Sequence, residues 1–283
     1  MSDHRPRRPG PPADSPWRNA RRPPDTRIAE EPAAARPPAE QRLYGLNACL
    51  AAFARRPDDL RKVYLLESRI PALKPVLAWC VQHRLGYRVV AAEDLDKLTG
   101  SRHHEGVCFD LRRRAPLSLD ALLALQPAAG ASLLIWLDGV GNPHNLGAVL
   151  RSAAHFGAGG VIVPAASSLD LSGAAARVAE GGAEAVPLAR IDDTRAAFAT
   201  LRRAGYAIGA TVPREGTPLY QAQLPQRLLL VFGAEGEGMD RALVDAADLR
   251  LTIPGSGAVE SLNIAASAAV TFAEWWRQVR ANR

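Results

Sequence analysis

The chain has 283 residues, 47% of them hydrophobic, which is enough for one large globular domain or two small ones. Its formal net charge of +6 favours a polyanionic partner such as nucleic acid, although a GC-rich genome alone would also produce its excess of arginine. Its three scattered cysteines argue against a disulfide framework, and no segment has the apolar length of a signal peptide or membrane span, so we expect a cytoplasmic protein.

The first part of the chain, residues 1–40, is rich in proline and arginine and poor in aliphatic residues. Such a composition buries too little apolar surface to offset the entropy lost on ordering. We therefore predict a disordered tail, which is either a basic arm that meets RNA phosphates or a solubilising extension.

Residues 41–114 predict a small α/β domain. A helix is expected in "LYGLNACLAAFARRP", a strand in "LRKVYLLE", and a helix in "PALKPVLAWCVQHRLG" that closes at Gly86. The strand "YRVVA", the short helix "EDLDKLTGS" and the strand "EGVCFDL" follow. Residues 115–130 are predicted to be a linker with one short helix.

Residues 131–283 predict a larger α/β domain. Its apolar runs are "LLIWL", "GVIVP", "YAIGATV", "RLLLVFG" and "LRLTIP", and helical segments separate most of them. Nearly continuous apolar strands that alternate with helices indicate a parallel sheet covered on both faces.

Three polar or glycine-rich loops follow strands of this domain: "NPHNLGAVLRSA", "LVFGAEGEGM" and "IPGSGAVESLNIAASAA". Ligands of open parallel sheets bind beyond the carboxyl ends of the strands, so the loops are expected to share one site. A dinucleotide site is disfavoured because Glu235 and Glu237 lie where a pyrophosphate would need bare amides. A ligand with a cationic centre, such as S-adenosylmethionine, tolerates these carboxylates better.

In order and spacing, the three segments resemble the signature motifs of the SpoU/TrmH family of RNA ribose 2′-O-methyltransferases. The resemblance covers residues 131–283, and "YGLNACLAAF" and "HHEGVCF" make the preceding unit similar to the family's substrate-binding domain. As a whole, the sequence most resembles the bacterial 23S rRNA guanosine 2′-O-methyltransferases and their uncharacterised relatives. The resemblance implies a trefoil-knotted parallel sheet, a homodimer with the site close to the subunit interface, S-adenosyl-L-methionine as cofactor and rRNA or tRNA as partner.

The resemblance also implies roles for individual residues. Arg151 corresponds to the family's essential arginine beside the target ribose. In the family this arginine is often drawn as the base that removes the 2′-OH proton, and that role stays an alternative for Arg151. Because arginine keeps its proton in proteins, we favour a role in orienting the nucleotide and stabilising the developing alkoxide. Asn145 joins it, with capping of the following helix as a competing role. The other catalytic candidates are Glu235, Ser261 and Asn263, and the candidates for the cofactor side are Thr211, Gly233, Ile253, Leu262 and Asn263.

The RNA-binding side is less specific in the sequence. His103, His104 and Glu105 lack a fourth ligand, so we expect no metal site. Each RNA-binding candidate, taken singly, is also explained as an ordinary solvated polar residue. Ser261, taken singly, is also explained as a helix cap. The candidate RNA contacts are Asn47, Arg61, Lys62, Arg102 and His103.

The sequence therefore predicts S-adenosylmethionine-dependent 2′-O-methylation of a ribose in structured RNA, with rRNA favoured over tRNA. A protein of another class, a non-catalytic RNA-binding or ribosome-assembly factor that keeps the fold, is the main alternative. The presence of Arg151, Glu235, Ser261 and Asn263 argues against it. A nucleotide-dependent dehydrogenase is disfavoured because its phosphate-binding fingerprint is missing.

Overall fold

The structure, a computed structural model, describes residues 40–234 and 238–281. The predicted tail, apart from Glu40, and the candidate Glu235 with its neighbour Glu237 lie outside the described residues. The described elements are β1 (Glu40–Tyr44), α1 (Leu46–Arg55), β2 (Leu60–Leu65), α2 (Ile70–Gln82), β3 (Gly86–Val89), α3 (Ala92–Thr99), β4 (Val107–Arg112), α4 (Leu119–Ala124), β5 (Ser132–Leu137), α5 (Pro143–His155), β6 (Gly160–Pro164), α6 (Gly173–Ala179), α7 (Gly182–Ala185), β7 (Leu188–Ile191), α8 (Thr194–Arg203), β8 (Ala207–Thr211), β9 (Thr217–Pro218), β10 (Arg227–Phe232), α9 (Arg241–Asp245), β11 (Leu249–Thr252) and α10 (Ile264–Ala281).

The smaller of the two described sheets has the strand order β1-β4-β2-β3. One face packs on α1 and α2 through a core that contains Leu43, Val63 and Phe109. The short helix α3 lies on the other face, where Tyr44 and Leu95 are buried together. The face toward α1 and α2 is therefore covered except along β3, where Tyr87 is 43% and Val89 49% exposed. The only described helix on the other face is eight residues long.

The prediction of a helix from the start of "LYGLNACL" is wrong at its first residues. Leu43 and Tyr44 belong to β1, where they pair with Phe109 and Cys108 of β4 and face opposite sides of the sheet. Gly45, with φ of 96°, separates β1 from α1. Its backbone conformation suits glycine, and an added Cβ would lie 2.7 Å from Cγ of Arg177.

The larger described sheet has the order β7-β6-β5-β10-β8-β11-β9, and its neighbouring strands are parallel. Apolar cores cover both faces, which confirms the predicted α/β fold with a doubly covered parallel sheet. The strand β7 was missed because its sequence "LARI" is short and carries Arg190. That side chain donates a hydrogen bond of 2.9 Å to the backbone oxygen of Ser167.

The segment predicted as a linker, residues 115–130, is part of the packing of the larger sheet. The amide of Leu117 donates to the oxygen of Leu188 in β7 at 2.9 Å. The Oγ of Ser118 accepts the amide of Ala121 at the start of α4, and Leu122 is fully buried. The two described sheets accordingly belong to one compact unit.

All three cysteines are unpaired and have no exposed surface. Burial raises the pKa of Cys49 and Cys80, and it raises the pKa of the Cys108 thiol to about 12. Because the thiolate is the reactive form, we expect the folded protein to release no chromophore from 5,5′-dithiobis(2-nitrobenzoate) at pH 8 within minutes. Three equivalents should react in guanidinium chloride, and one rapid equivalent in the folded state would contradict the prediction.

The end of α10 is tied to the segment that precedes β10. Trp275 donates its indole N–H to the oxygen of Pro225 at 3.0 Å, and the side chain of Gln278 bonds the backbone of Ala222 and Leu224. Glu274, which is buried, accepts hydrogen bonds from both Arg277 and Gln278. The Arg277 guanidinium is the main cause of a lowered pKa at Glu274, and the Gln278 bond adds to it.

A carboxyl with a lowered pKa in the folded state stabilises the fold above its unfolded-state pKa and loses that effect as pH falls through the folded-state pKa. Glu274→Gln should therefore lower Tm at pH 7, and the difference from the wild type should shrink only below the ordinary pKa of 4.5. Thermal melts between pH 3 and pH 8 measure this, with the exposed Glu67→Gln as control. A Tm difference that is independent of pH would contradict the prediction.

Candidate functional site

The candidate site lies at one edge of the larger sheet. The strands β5, β10, β8 and β11 are neighbours in that order and parallel, so their carboxyl ends meet there. The three motif loops follow β5, β10 and β11. The structure thus brings together the strand ends that the sequence predicted to share a site.

The loop after β5 enters α5 through a capped start. Pro143 occupies the first turn, and the side-chain oxygen of Asn142 accepts the amide of His144 at 2.9 Å. The suggested capping role of Asn145 is therefore wrong, since the cap lies three residues earlier. The Oδ1 of Asn145 instead accepts a hydrogen bond of 3.2 Å from Nδ2 of Asn263.

That hydrogen bond joins the first and third motifs. Asn263 also caps α10, because its Oδ1 accepts the amide of Ala265 at 2.9 Å. The suggestion that Ser261 acts as a helix cap is therefore wrong. Ser261 is exposed in the loop before the helix. The amide side chain of Asn263 thus fixes the start of α10 and the position of Asn145 together.

The loop after β10 is closed tightly. The backbone of Ala234 and that of Gly238 exchange two hydrogen bonds of 3.0 Å. A Cβ on Gly233 would lie 2.5 Å from backbone atoms of Gly238 and Met239, so only glycine fits there. Glu235 lies outside the described residues, so its predicted role stays a prediction.

Asp138, at the end of β5, was not among the predicted site residues. Its carboxylate accepts a long hydrogen bond of 3.4 Å from the amide of Asp240, which connects the loops after β5 and β10. Partial burial is the main cause of a raised pKa at Asp138. The available signal was an acidic residue directly after a wholly apolar strand, in "LLIWLD".

A cavity of about 170 Å³ lies between the loops. Small and neutral residues surround it, so the backbone is accessible to a ligand. Gly139 comes closest to the second motif, since a Cβ there would lie 3.1 Å from that of Ala234. The lining includes Gly139, Gly141, Asn142, Asn145, Ala234 and Ile264.

Arg151 is exposed on α5. It lies six residues, or about 9 Å of helix axis, beyond Asn145. Within residues 40–234 and 238–281, its guanidinium has no hydrogen-bond or ion-pair partner. Behind it, α5 packs closely on α7, because a Cβ on Gly182 would lie 2.6 Å from the oxygen of Leu150.

The candidates for the cofactor side are distributed over three strand ends. Thr211 donates its hydroxyl to the oxygen of Val231 at 2.9 Å, which fastens the end of β8 to β10. Ile253 is half-buried against the larger core, whereas the side chain of Leu262 is 46% exposed. The backbone groups of Thr211, Ile253, Leu262 and Gly233 therefore lie along the edge of the sheet where the strands end.

The candidate RNA contacts are not brought together as one group. Asn47 donates to the carboxylate of Glu180 at 2.5 Å, so it is engaged by α6. Arg61 and Lys62 are successive residues of β2, and Arg102 and His103 are exposed in the loop after α3.

His103, His104 and Glu105 were considered in the sequence as metal ligands. The buried His104 lies 3.2 Å from the carboxylate of Asp96, and its Nδ1 accepts the amide of Gly106. The described part of the chain contains no group of three or more His, Cys, Asp or Glu placed to hold a metal ion. Of the helices it contains, none has the length and apolarity required to cross a membrane.

Comparisons with known proteins identify the family of this chain. The SpoU rRNA Methylase family matches residues 132–273, and the family described as RNA 2′-O ribose methyltransferase substrate binding matches residues 42–117. The uncharacterised tRNA/rRNA methyltransferase YfiF of Escherichia coli O157:H7 is 40% identical over 242 residues, 86% of this chain and 69% of YfiF. The 23S rRNA (guanosine-2′-O-)-methyltransferase RlmB of Yersinia pestis is 34% identical, over 83% of this chain and 96% of RlmB.

Among solved structures, the SpoU methyltransferase AviRb of Streptomyces viridochromogenes, in complex with AdoMet, matches with a TM-score of 0.70. The match covers 86% of this chain and 92% of AviRb at 22% identity, and it shows a shared fold. The family predicted from the three motifs is confirmed by these matches. This chain belongs to the SpoU rRNA methylase family.

Proposed function

We propose that this protein transfers a methyl group from S-adenosyl-L-methionine to a ribose 2′-hydroxyl of structured RNA, rRNA rather than tRNA. The observation that carries the proposal is the hydrogen bond between Asn145 and Asn263, which holds the first and third motifs together at the edge of the sheet. The relative RlmB, named for guanosine 2′-O-methylation of 23S rRNA, supports the substrate class.

The loops fit the cofactor in chemistry. The cavity is bordered by small, neutral residues, and no cationic side chain is among those described around it, which suits a positively charged ligand. Its volume of about 170 Å³ accommodates part of such a molecule, and the exposed loop over residues 253–263 would contact the rest. We assign the backbone near Thr211, Gly233, Ile253 and Leu262 to holding it. When bound, S-adenosylmethionine supplies a methyl group on a positively charged sulfur.

The chain's own residues position the acceptor. The exposed Arg151 can grip a phosphate of the target nucleotide with two N–H groups and stabilise negative charge that develops on the 2′-oxygen. Ser261 and Asn263 lie on the loop that leads into α10, where they can orient the hydroxyl. The bound cofactor would supply the methyl group to the 2′-oxygen aligned in this way, and the hydroxyl proton would leave to solvent or to a nearby acceptor. Alignment of the two reactants supplies much of the acceleration.

We also propose that two copies of the chain form the working enzyme. Large apolar side chains remain exposed on the third motif and on α10: Val259 is 71%, Leu262 46% and Trp276 39% exposed. Exposed apolar side chains of this kind mark protein interfaces, and a second copy of the chain would bury them. Light scattering should give twice the monomer mass of 30.3 kDa, and the monomer mass at micromolar concentration would refute the proposal. An rRNA substrate places this enzyme in the cytoplasm.

The path of the chain is the remaining part of the proposal. We propose that the segment carrying α10 passes through a loop of the preceding chain and forms a trefoil knot. The insertion of β10 between β5 and β8, and the return of α10 to α5, are compatible with such a path. A denatured chain stretched in optical tweezers should fall short of its contour length of about 3.5 Å per residue. Full extension would refute the knot.

Two measurements test the activity. Calorimetry should detect binding of S-adenosylmethionine, and the absence of heat at millimolar cofactor would refute the enzyme proposal in favour of a non-catalytic RNA-binding or assembly protein. Mapping of ribose methylation in a strain that lacks the gene should reveal one lost 2′-O-methyl group in rRNA. Restoration by the wild-type chain identifies the nucleotide.

A further inference from the structure

The open face of the small sheet collects side chains that are distant in the sequence. Strand pairing aligns Arg42 with Asp110 and Lys62, and it aligns Tyr64 with Arg88 in the next row. Because side chains alternate along a strand, both rows project from the face on which α3 lies. The helix α3 covers this face only in part and leaves a cavity of about 490 Å³ beside it.

Three of the four charged residues that line this cavity are cationic. Arg42 is paired with Asp110 at 2.8 Å and also donates to the oxygen of Leu98. Among the residues that the structure describes, neither Arg88 nor Lys97 has an ion-pair partner, and Asp94 is the one acidic residue in the lining. The walls of the cavity include Arg42, Tyr64, Arg88, Asp94, Lys97 and Leu98.

An aromatic and an apolar surface accompany the cations. The half-buried ring of Tyr64 lies among Val90 and Leu98, and the ammonium of Lys62 is 5.0 Å from the ring centroid. Proteins recognise unpaired RNA bases by stacking on aromatic side chains beside cations that hold the backbone. The space is open to solvent on one side, and its volume is large enough for one nucleotide to lie in it.

We propose that this cavity binds one unpaired nucleotide of the RNA substrate, separate from the nucleotide that is methylated. Arg88 and Lys97 would hold its phosphates, Tyr64 with Leu98 would contact the base, and Asp94 would accept a base amino group. This inference rests on the proposed function for the identity of the RNA. It extends that function by assigning to the small domain a binding site for a second nucleotide of the same RNA.

Fluorescence anisotropy of the full chain with labelled 12-nucleotide oligouridylate and oligoadenylate tests the pocket. Removing two phosphate contacts from a single strand should lower the slope of log K against log salt by about 1.4, which is about 25-fold weaker binding at 0.1 M salt. We expect this from the variant R88Q/K97Q. The matched control R195Q/R203Q removes two exposed cations of α8 and should bind like the wild type.

A second variant and a crosslink address the base. Tyr64→Leu keeps an apolar side chain in the half-buried position and should weaken oligonucleotide binding about tenfold, within the range for one stacked base. Oligouridylate that contains 4-thiouridine should crosslink under ultraviolet light to peptides over residues 62–64 or 88–98. Crosslinks found only elsewhere would refute the pocket, as would an unchanged salt slope in R88Q/K97Q.

Two further readouts separate the possible failures. Calorimetry should give the same Kd for S-adenosylmethionine in the wild type and in R88Q/K97Q, because the pocket is separate from the proposed cofactor site. If neither protein binds the cofactor, the proposed methyltransferase function is refuted, whereas the proposal for the nucleotide pocket is not. If uridine 5′-monophosphate binds as tightly as the 12-mer and R88Q/K97Q abolishes both, the occupant is a free nucleotide, and the RNA proposal is wrong.

Discussion

Replacement of Arg151 by alanine is expected to reduce methyl transfer to RNA at least about 100- to 1000-fold, the usual loss when one donor to a developing oxyanion is removed. The Kd for S-adenosylmethionine should stay within about twofold, since the proposed cofactor site lies on the loops. The exposed side chain has no partner among the described residues, so Tm should change little. Single-turnover transfer from tritiated cofactor to rRNA, beside calorimetry and thermal melts, measures all three.

Arg151→Lys distinguishes charge from geometry. Lysine keeps the positive charge but cannot hold a phosphate with a planar pair of N–H groups, so its activity should lie between wild type and Arg151→Ala. Arg195→Ala, on the exposed face of α8, is the matched control and should keep full activity. Near-normal turnover of Arg151→Ala would show that the arginine of the first motif is not needed for transfer.

The sequence predicted the elements of this site well because their signals are local. A wholly apolar run, a short loop and a helix start identify β5 and α5, and the same is true of β10 and β11. The capping residues were harder, because "NPHN" offers two asparagines and only geometry selects one. Asn142 precedes Pro143 and caps the helix, which leaves Asn145 to pair with Asn263 across 118 positions of sequence.

Features that depend on strand pairing could not be predicted. The row that contains Tyr64 and Arg88 exists because β2 and β3 are parallel neighbours, and Arg42 lies in the adjacent row, opposite Asp110 of β4. Single residues of such a surface look like ordinary solvated side chains. Of the candidate RNA contacts, Lys62 lies beside this cavity, whereas Asn47 is engaged with Glu180 instead.

The contact between the small sheet and α7 was likewise invisible in the sequence. Arg56 follows α1, and its guanidinium makes two hydrogen bonds of 2.8 and 2.6 Å to the carboxylate of Glu184. A third bond reaches the backbone oxygen of Arg112. Only 3% of the Arg56 side chain and 8% of the Glu184 side chain are exposed. Because α7 packs on α5 at Gly182, this ion pair connects the small sheet to the helix that carries Arg151.

Arg56→Ala should destabilise the fold by about 3–5 kcal/mol, because it leaves the buried carboxylate of Glu184 without its partner. Urea unfolding measures the free energy. The double variant Arg56→Met/Glu184→Leu removes both charges and fills the space, so it should recover most of the loss. In that variant α7 keeps its packing on α5, and methyl transfer should recover with stability. A double variant as unstable as Arg56→Ala would mean that the attraction between the charges, rather than the burial of an unpaired charge, determines the stability of this contact.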